Sequence, residues 1–258
     1  MRLDFIIVGT QKGGTTALDY FLRKNSSVQM AQTKKEIHFF DNENFDWKAP
    51  DYRVYHSNFE WSSKFVVRGE ATPIYMYWPQ SIGRIKAYNP DVRLICLLRH
   101  PSFRAFSQWK MERARGVETL DFSEAIRSGR NRIIENPGCL RIFDYIERGL
   151  YSTQVVRLLA NFDRSQILFI TSDSFRKSLS SSLDKVARFI GARGFSEIIN
   201  KRIVPVEDQT RNDLSASDLL FLNELFRNDI YKTMELTGCE LTAWLDANYM
   251  EPEIWPQS

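Results

Sequence analysis

Four short apolar runs punctuate the chain, at residues 5–8, 65–68, 92–98 and 167–171. Each is partly β-branched and mostly lacks polar alternation, the pattern of strands covered on both faces. Helical periodicity fills the intervals. Leu18, Phe21 and Leu22 follow the i, i+3, i+4 spacing, and Tyr151, Val155, Leu158, Leu159 and Phe162 hold one face before the last run. Leu179, Leu183, Val186, Ala187 and Ile190 do the same after it. Asp121-Phe122-Ser123-Glu124 and Ser215-Ala216-Ser217-Asp218 resemble capping boxes that open two more helices. Strands alternating with helices predict an α/β fold, a central parallel sheet flanked by helices. Residues 39–61 are aromatic and irregular, a long excursion expected beside a site or over one. There is no repeat, low-complexity segment or composition shift, so a single domain over residues 1–258 is expected.

Composition narrows the classes. The chain is 43% apolar and 26% charged, which excludes disorder, collagen and coiled coil for the whole chain. A formal net charge of +3 gives no footprint for nucleic acid, so any anion site must come from local clustering. Cys96, Cys139 and Cys239 lie far apart with no CxxC and no His at ligand spacing, so neither a disulfide framework nor a metal site is expected. No run approaches the length of a membrane span, and the short apolar stretch before Gly9 is not expected to act as a signal sequence. A cytoplasmic location is the default expectation.

The chemistry begins after the first run, at Gly9-Thr10-Gln11-Lys12-Gly13-Gly14-Thr15-Thr16. A strand entering a glycine-bearing loop that opens a helix is how α/β proteins hold phosphate, with backbone N–H groups converging at the positive end of the helix dipole. The loop is P-loop-like but not that of an NTPase. Gly9 and Gly14 have the required spacing, yet Thr15 stands where the Walker lysine belongs, and Lys12 lies three residues earlier. The run at 92–98 ends in Arg99 rather than in the acidic residue that would hold Mg²⁺. Both departures point to a phosphate-bearing ligand with no metal and no γ-phosphate.

A second anion site follows in Arg99-His100-Pro101-Ser102-Phe103-Arg104-Ala105-Phe106-Ser107. Arg99 stands at the carboxyl end of an expected strand, where open α/β sheets bind ligands, and Ser107 falls on the helix that Pro101 opens. A guanidinium and a hydroxyl suit a second phosphate. Arg104, Lys110, Arg113 and Arg115 add positive charge, against Glu112 alone.

Together these segments resemble the sulfotransferases that use 3′-phosphoadenosine-5′-phosphosulfate (PAPS), and most closely their heparan-sulfate branch with its bacterial relatives. Lys12 to Thr16 resembles the family's 5′-phosphosulfate loop, and Arg99 with Ser107 resembles its 3′-phosphate motif. Lys35-Glu36-Ile37-His38-Phe39-Phe40-Asp41 is similar to that branch's KE-x-HFFD segment, and Glu70-Ala71-Thr72-Pro73-Ile74-Tyr75 to its E-x-[ST]-P-x-Y stretch. Arg148-Gly149-Leu150-Tyr151 matches in order, and the likeness covers residues 3–190. It implies the sulfotransferase fold, PAPS as co-substrate, 3′-phosphoadenosine 5′-phosphate (PAP) as product, and no metal.

The resemblance implies roles for residues as well. Lys12, Gly13, Gly14, Thr15, Thr16, Arg99 and Ser107 would bind the nucleotide, and Arg211 stands where the family closes a loop over it. Lys12 would neutralise the leaving group. Glu36 leads as the base that takes the acceptor's proton, with His38 as the other candidate. Glu36, His38, Asp41 and Tyr151 are the acceptor-side candidates, and Asp41 is also placed to orient His38. Ala71 replaces the lysine that animal heparan enzymes turn toward their polyanion, so a small or medium-sized acceptor is expected, a natural product or short glycan carrying a hydroxyl or amine. The competing readings are a carbohydrate-polymer sulfotransferase, a metal-dependent NTP-using small-molecule kinase and a noncatalytic nucleotide-binding module.

Overall fold

The computed structural model describes residues 1–61, 65–195 and 214–252. In chain order the elements are β1 (Phe5–Gly9), α1 (Thr15–Lys24), β2 (Val28–Met30), α2 (Tyr52–His56), β3 (Val67–Ala71), α3 (Ser81–Tyr88) and β4 (Arg93–Leu98). They continue with α4 (Pro101–Ala114), α5 (Phe122–Glu135), α6 (Leu140–Phe143), α7 (Tyr151–Asn161), β5 (Ile167–Thr171), α8 (Ser172–Lys177), α9 (Leu179–Ile190) and α10 (Ala216–Thr237). The described residues fall into two compact units. Of these, one takes in residues 1–61, 65–98, 156–195 and 252, the other residues 99–155 and 214–251.

The first unit carries the sheet, five strands in the order β2-β3-β1-β4-β5 and all parallel. All four expected strands are present, shifted by two to three residues at β3. Burial explains their sequences: Phe5, Ile6, Ile7 and Val8 of β1 are fully enclosed, as are Leu94 to Leu98 of β4. A parallel strand covered on both faces has no polar side to show. On one face the apolar stripes of α1 (Leu18, Phe21, Leu22) and α9 (Leu183, Val186, Ala187, Ile190) close over Phe5, Ile7, Ile95 and Leu97. The sheet also contains β2, only three residues long and too short for a pattern to declare it.

The second unit is helical. Asp121 caps α5 by accepting from the Glu124 amide at 2.8 Å, and Ser215 caps α10 by accepting from the Asp218 amide at 3.1 Å. Both helix starts fall where the capping sequences placed them. The aromatic excursion packs largely on itself. Phe39, Phe40 and Tyr55 are buried, and rings at 39, 40, 45, 47, 52, 55, 75 and 88 pack against one another at centroid distances of 4.9–6.2 Å. They form a satellite core rather than an open apolar wall.

Candidate active site

Parallel strands deliver the segments that follow them to one edge of a sheet, which is where the functional segments of the first unit begin. The loop at residues 10–14 leaves β1, residues 31–41 follow β2, and Thr72 to Tyr75 follow β3.

The loop after β1 is held by its backbone. Thr10 donates through both its amide and its hydroxyl to the Leu97 carbonyl, at 2.9 and 2.7 Å, and the Gly13 amide closes the turn onto the Thr10 carbonyl at 2.9 Å. A Cβ on Gly13 would lie 2.5 Å from the Leu97 oxygen and 2.6 Å from the Thr10 hydroxyl, so no larger residue fits. Gly14 sits left-handed at φ 103° as the N-cap of α1, and Lys12 takes φ 67° although it is not glycine. That conformation costs a side-chain-bearing residue about 1 kcal/mol and tends to persist where function requires it. Helix α1 starts with no side-chain cap and no acid in its first turn. Its first N–H groups have no intrahelical partners, and the dipole adds partial positive charge, a natural seat for phosphate. Thr15 is buried, Thr16 is exposed, and Lys12 is half-buried.

The segment after β2 places three expected residues in contact. His38 Nδ1 lies 2.9 Å from Asp41 Oδ2, His38 Nε2 lies 3.4 Å from Glu36 Oε2, and Lys35 Nζ lies 2.8 Å from Glu36 Oε1. Hydrogen bonds to Asp41 and then to Glu36 raise the His38 pKa to about 9 against the pull of burial. Burial favours a protonated Glu36, but the His38 and Lys35 contacts outweigh it and lower the carboxyl to about 2. At neutral pH His38 is therefore an imidazolium and Glu36 a carboxylate. Asp41, expected on the acceptor side, has a side chain only 1% exposed, so it serves to orient His38.

The stretch after β3 supports that segment from beneath. The buried Glu70 carboxylate accepts from the Tyr55 hydroxyl at 2.9 Å and from Thr72 Oγ1 at 2.6 Å. Thr72 Oγ1 in turn accepts the Ile37 amide at 3.1 Å, and the Tyr75 hydroxyl accepts the Phe39 amide at 3.0 Å.

In the second unit, Arg99 is the residue next after β4. Its Nε and Nη2 donate to the two oxygens of Glu251 at 2.7 and 2.6 Å, and both residues are buried. Ser107 lies half-buried on α4. His100 is buried, accepts the Ser102 amide as N-cap of α4 and is stacked on Tyr249 at 4.8 Å. Burial lowers its pKa to about 4, so it is neutral and shapes the turn. Tyr151, expected to face the acceptor, is 1% exposed. Its hydroxyl donates to the Arg99 carbonyl at 2.7 Å, so it braces the arginine from behind. The start of α7 is held by Asp229 of α10, which accepts the Tyr151 amide at 2.7 Å and the Ser152 amide at 3.2 Å. Arg211 lies outside the described residues. Among those described, no group of His, Cys, Asp and Glu has the geometry of a metal site, and no helix is long and apolar enough to cross a membrane.

Sequence reasoning missed Glu251, which meets Arg99 across 152 residues, beyond any spacing rule. It placed Glu70 in the E-x-[ST]-P-x-Y stretch but gave it no role, since a single acid inside a strand does not show its partners.

Fold and loop together define an α/β protein with a P-loop-like turn after β1 that lacks a Walker lysine. The profile of the Sulfotransferase domain family matches residues 2–255, and the chain belongs to that family. It is 27% identical to the human bifunctional heparan sulfate N-deacetylase/N-sulfotransferase 2 over 93% of this chain and 30% of that protein. It is 27% identical to the mouse heparan sulfate glucosamine 3-O-sulfotransferase 3B1 over 73% of this chain and 46% of that protein. It thus spans less than half the length of either relative. The crystal structure of a sulfotransferase from Alicyclobacillus acidocaldarius superposes with a TM-score of 0.80 at 26% identity, covering 95% of this chain and 99% of that one.

Proposed function

We propose that the chain is one sulfotransferase domain that moves a sulfuryl group from PAPS to a hydroxyl or amine of a short glycan. The observation that carries the reading is the loop after β1, where Gly13 has no room for a side chain and α1 opens uncapped behind it. Backbone N–H groups of residues 13–16 would hold the 5′-phosphosulfate. Arg99 and Ser107 would hold the 3′-phosphate, as the family resemblance implies. Nothing in this donor set calls for a metal: the anionic charge is met by amides, Lys12 and a guanidinium.

In the transfer, the acceptor's lone pair attacks sulfur as the sulfur–oxygen bond to the 5′-phosphate breaks and PAP leaves with the bonding pair. Lys12 neutralises the charge growing on that phosphate oxygen. The acceptor's proton goes to Glu36. His38 is already protonated at neutral pH and cannot take it, whereas Glu36 is ionised. A carboxylate held at about 2 is a weak base, yet it suffices because the acceptor group becomes strongly acidic as its bond to sulfur forms.

The groups exposed beside Glu36 are polar: Gln32, Thr33 and Lys34. With the aromatic rings packed among themselves, this surface suits hydroxyl-rich sugar better than a flat apolar compound. The human and mouse relatives, both heparan sulfate enzymes by name, favour a glycan as well. Thermal-shift measurements test the donor: PAP without Mg²⁺ should raise the melting temperature, AMP much less. Stabilisation by ATP with Mg²⁺ but not by PAP would overturn the reading in favour of a kinase. Turnover of labelled PAPS against short glycans, long heparan-like polymer and small phenols or amines tests the acceptor.

A further inference from the structure

We infer that Glu70 is a positioning residue for the proton-accepting segment, acting through hydroxyl groups whose direction it fixes. This rests on the reading that Glu36 takes the acceptor's proton. A hydroxyl has one hydrogen and two lone pairs, so what it can accept depends on where its hydrogen is pinned. The Glu70 carboxylate, which only accepts when ionised, takes the hydrogen of Thr72 Oγ1 at 2.6 Å. Thr72 is then left to accept the Ile37 amide at 3.1 Å, the peptide N–H between Glu36 and His38. The Tyr75 hydroxyl is also a hydrogen-bond partner of Glu70, and it accepts the amides of Phe39 and Phe40 at 3.0 and 3.4 Å. One carboxylate therefore orients two hydroxyls that hold three amides, those of Ile37, Phe39 and Phe40, in the segment from Glu36 to Asp41.

The arrangement is dry and rigid, since Glu70, Thr72, Tyr75 and Tyr55 are all fully buried. Buried networks of this kind specify one geometry because each unmade bond is costly. The segment needs such help. His38 stands at φ 57°, outside the conformations its side chain prefers, so its backbone must be held from elsewhere. Held there, His38 reaches Asp41 and Glu36 together, and Glu36 keeps its charge. Glu70 is fully buried and acts only through these hydroxyls. The groups that face it are Tyr55, Thr72 and Tyr75, with Asp41 and Tyr88 acting at longer range.

The test reads His38 directly and needs no acceptor. The protein has three histidines, so ring resonances in NMR can be assigned by substitution and His38 titrated. In the wild type it should titrate near 9, above the value of about 7 to which burial pushes Glu70, so the carboxylate is ionised across that window. Glu70→Gln should lower the His38 midpoint by about one pH unit or more toward its ordinary value. Removing a charge would itself lower it somewhat, so Thr72→Val is the sharper variant. It leaves every charge in place and should produce a drop of the same sign, while Thr72→Ser, which keeps the hydroxyl, should restore the wild-type midpoint. If Glu70→Gln fails to give a cooperative melt, the two Thr72 variants decide the matter. A His38 midpoint unmoved in Thr72→Val, or moved equally in Thr72→Ser, would overturn the inference. Failure of PAP to stabilise the wild type would instead sink the sulfotransferase reading and leave this titration result standing.

Discussion

Arg99 and Glu251 form a buried, two-pronged ion pair, with Nε and Nη2 each on one carboxylate oxygen at 2.7 and 2.6 Å. A residue proposed to meet the 3′-phosphate thus already faces a built-in carboxylate. A phosphate arriving at that guanidinium would feel repulsion from Glu251. Glu251→Gln should therefore tighten PAP binding by at least about fivefold, the scale of removing one like charge a few ångströms away at an effective dielectric of about 20. AMP binding should barely change. Isothermal titration with both nucleotides checks this, and weaker PAP binding would mean that Glu251 orients Arg99 rather than competing with the phosphate.

Lys12 carries both a charge and a strained backbone. Lys12→Ala should reduce turnover by about 10²-fold or more, the usual effect of losing one stabiliser of developing charge. Lys12→Gly should lose turnover equally, yet melt no lower than the wild type, because glycine adopts φ 67° without penalty. Calorimetry beside a PAPS turnover assay separates the two effects.

Gly13→Ala should abolish PAP binding and destabilise the protein by about 1–3 kcal/mol. The added methyl meets backbone oxygens of Leu97 and Thr10 at 2.5 and 2.9 Å, and neither can swing aside. Denaturant unfolding with and without PAP would show both losses. Retained binding would mean that the loop does not grip the nucleotide through its backbone.

The charged cluster after β2 gives a pH signature. His38 has its pKa raised from 6.5 to about 9, so its pairing stabilises the fold fully below 6.5 and fades as pH rises through 9. Glu36 has its pKa lowered from 4.5 to about 2, so its share is complete above 4.5 and is lost as pH falls through 2. The melting-temperature difference between wild type and His38→Gln should thus be largest between pH 4.5 and 6.5 and vanish above pH 9. A difference that grew with pH would contradict the charge states assigned to the cluster.

Much of this was legible in the sequence for a physical reason. Strands buried on both faces must be apolar throughout, and helix starts must be capped, so β1, β4, β5, α5, α9 and α10 declare themselves locally. Glycines that allow backbone to approach backbone did the same for the loop at residues 10–14. What was not legible depends on partners distant in the chain. Nothing near Tyr151 says that its hydroxyl belongs to the Arg99 carbonyl, and an aromatic-rich stretch reads alike whether its rings line a cleft or pack on each other. The strand β2 escaped because three residues cannot show a period.

Asp229 supplies a last consequence. Its carboxylate takes the two leading amides of α7, across 78 and 77 residues of sequence. The cap of that helix is therefore synthesised long after the helix itself. A nascent chain that has emerged only through α9 does not yet contain the carboxylate that takes these two amides. Ribosome-bound intermediates of this length should lack this cap at the start of α7, which can form only once α10 is released.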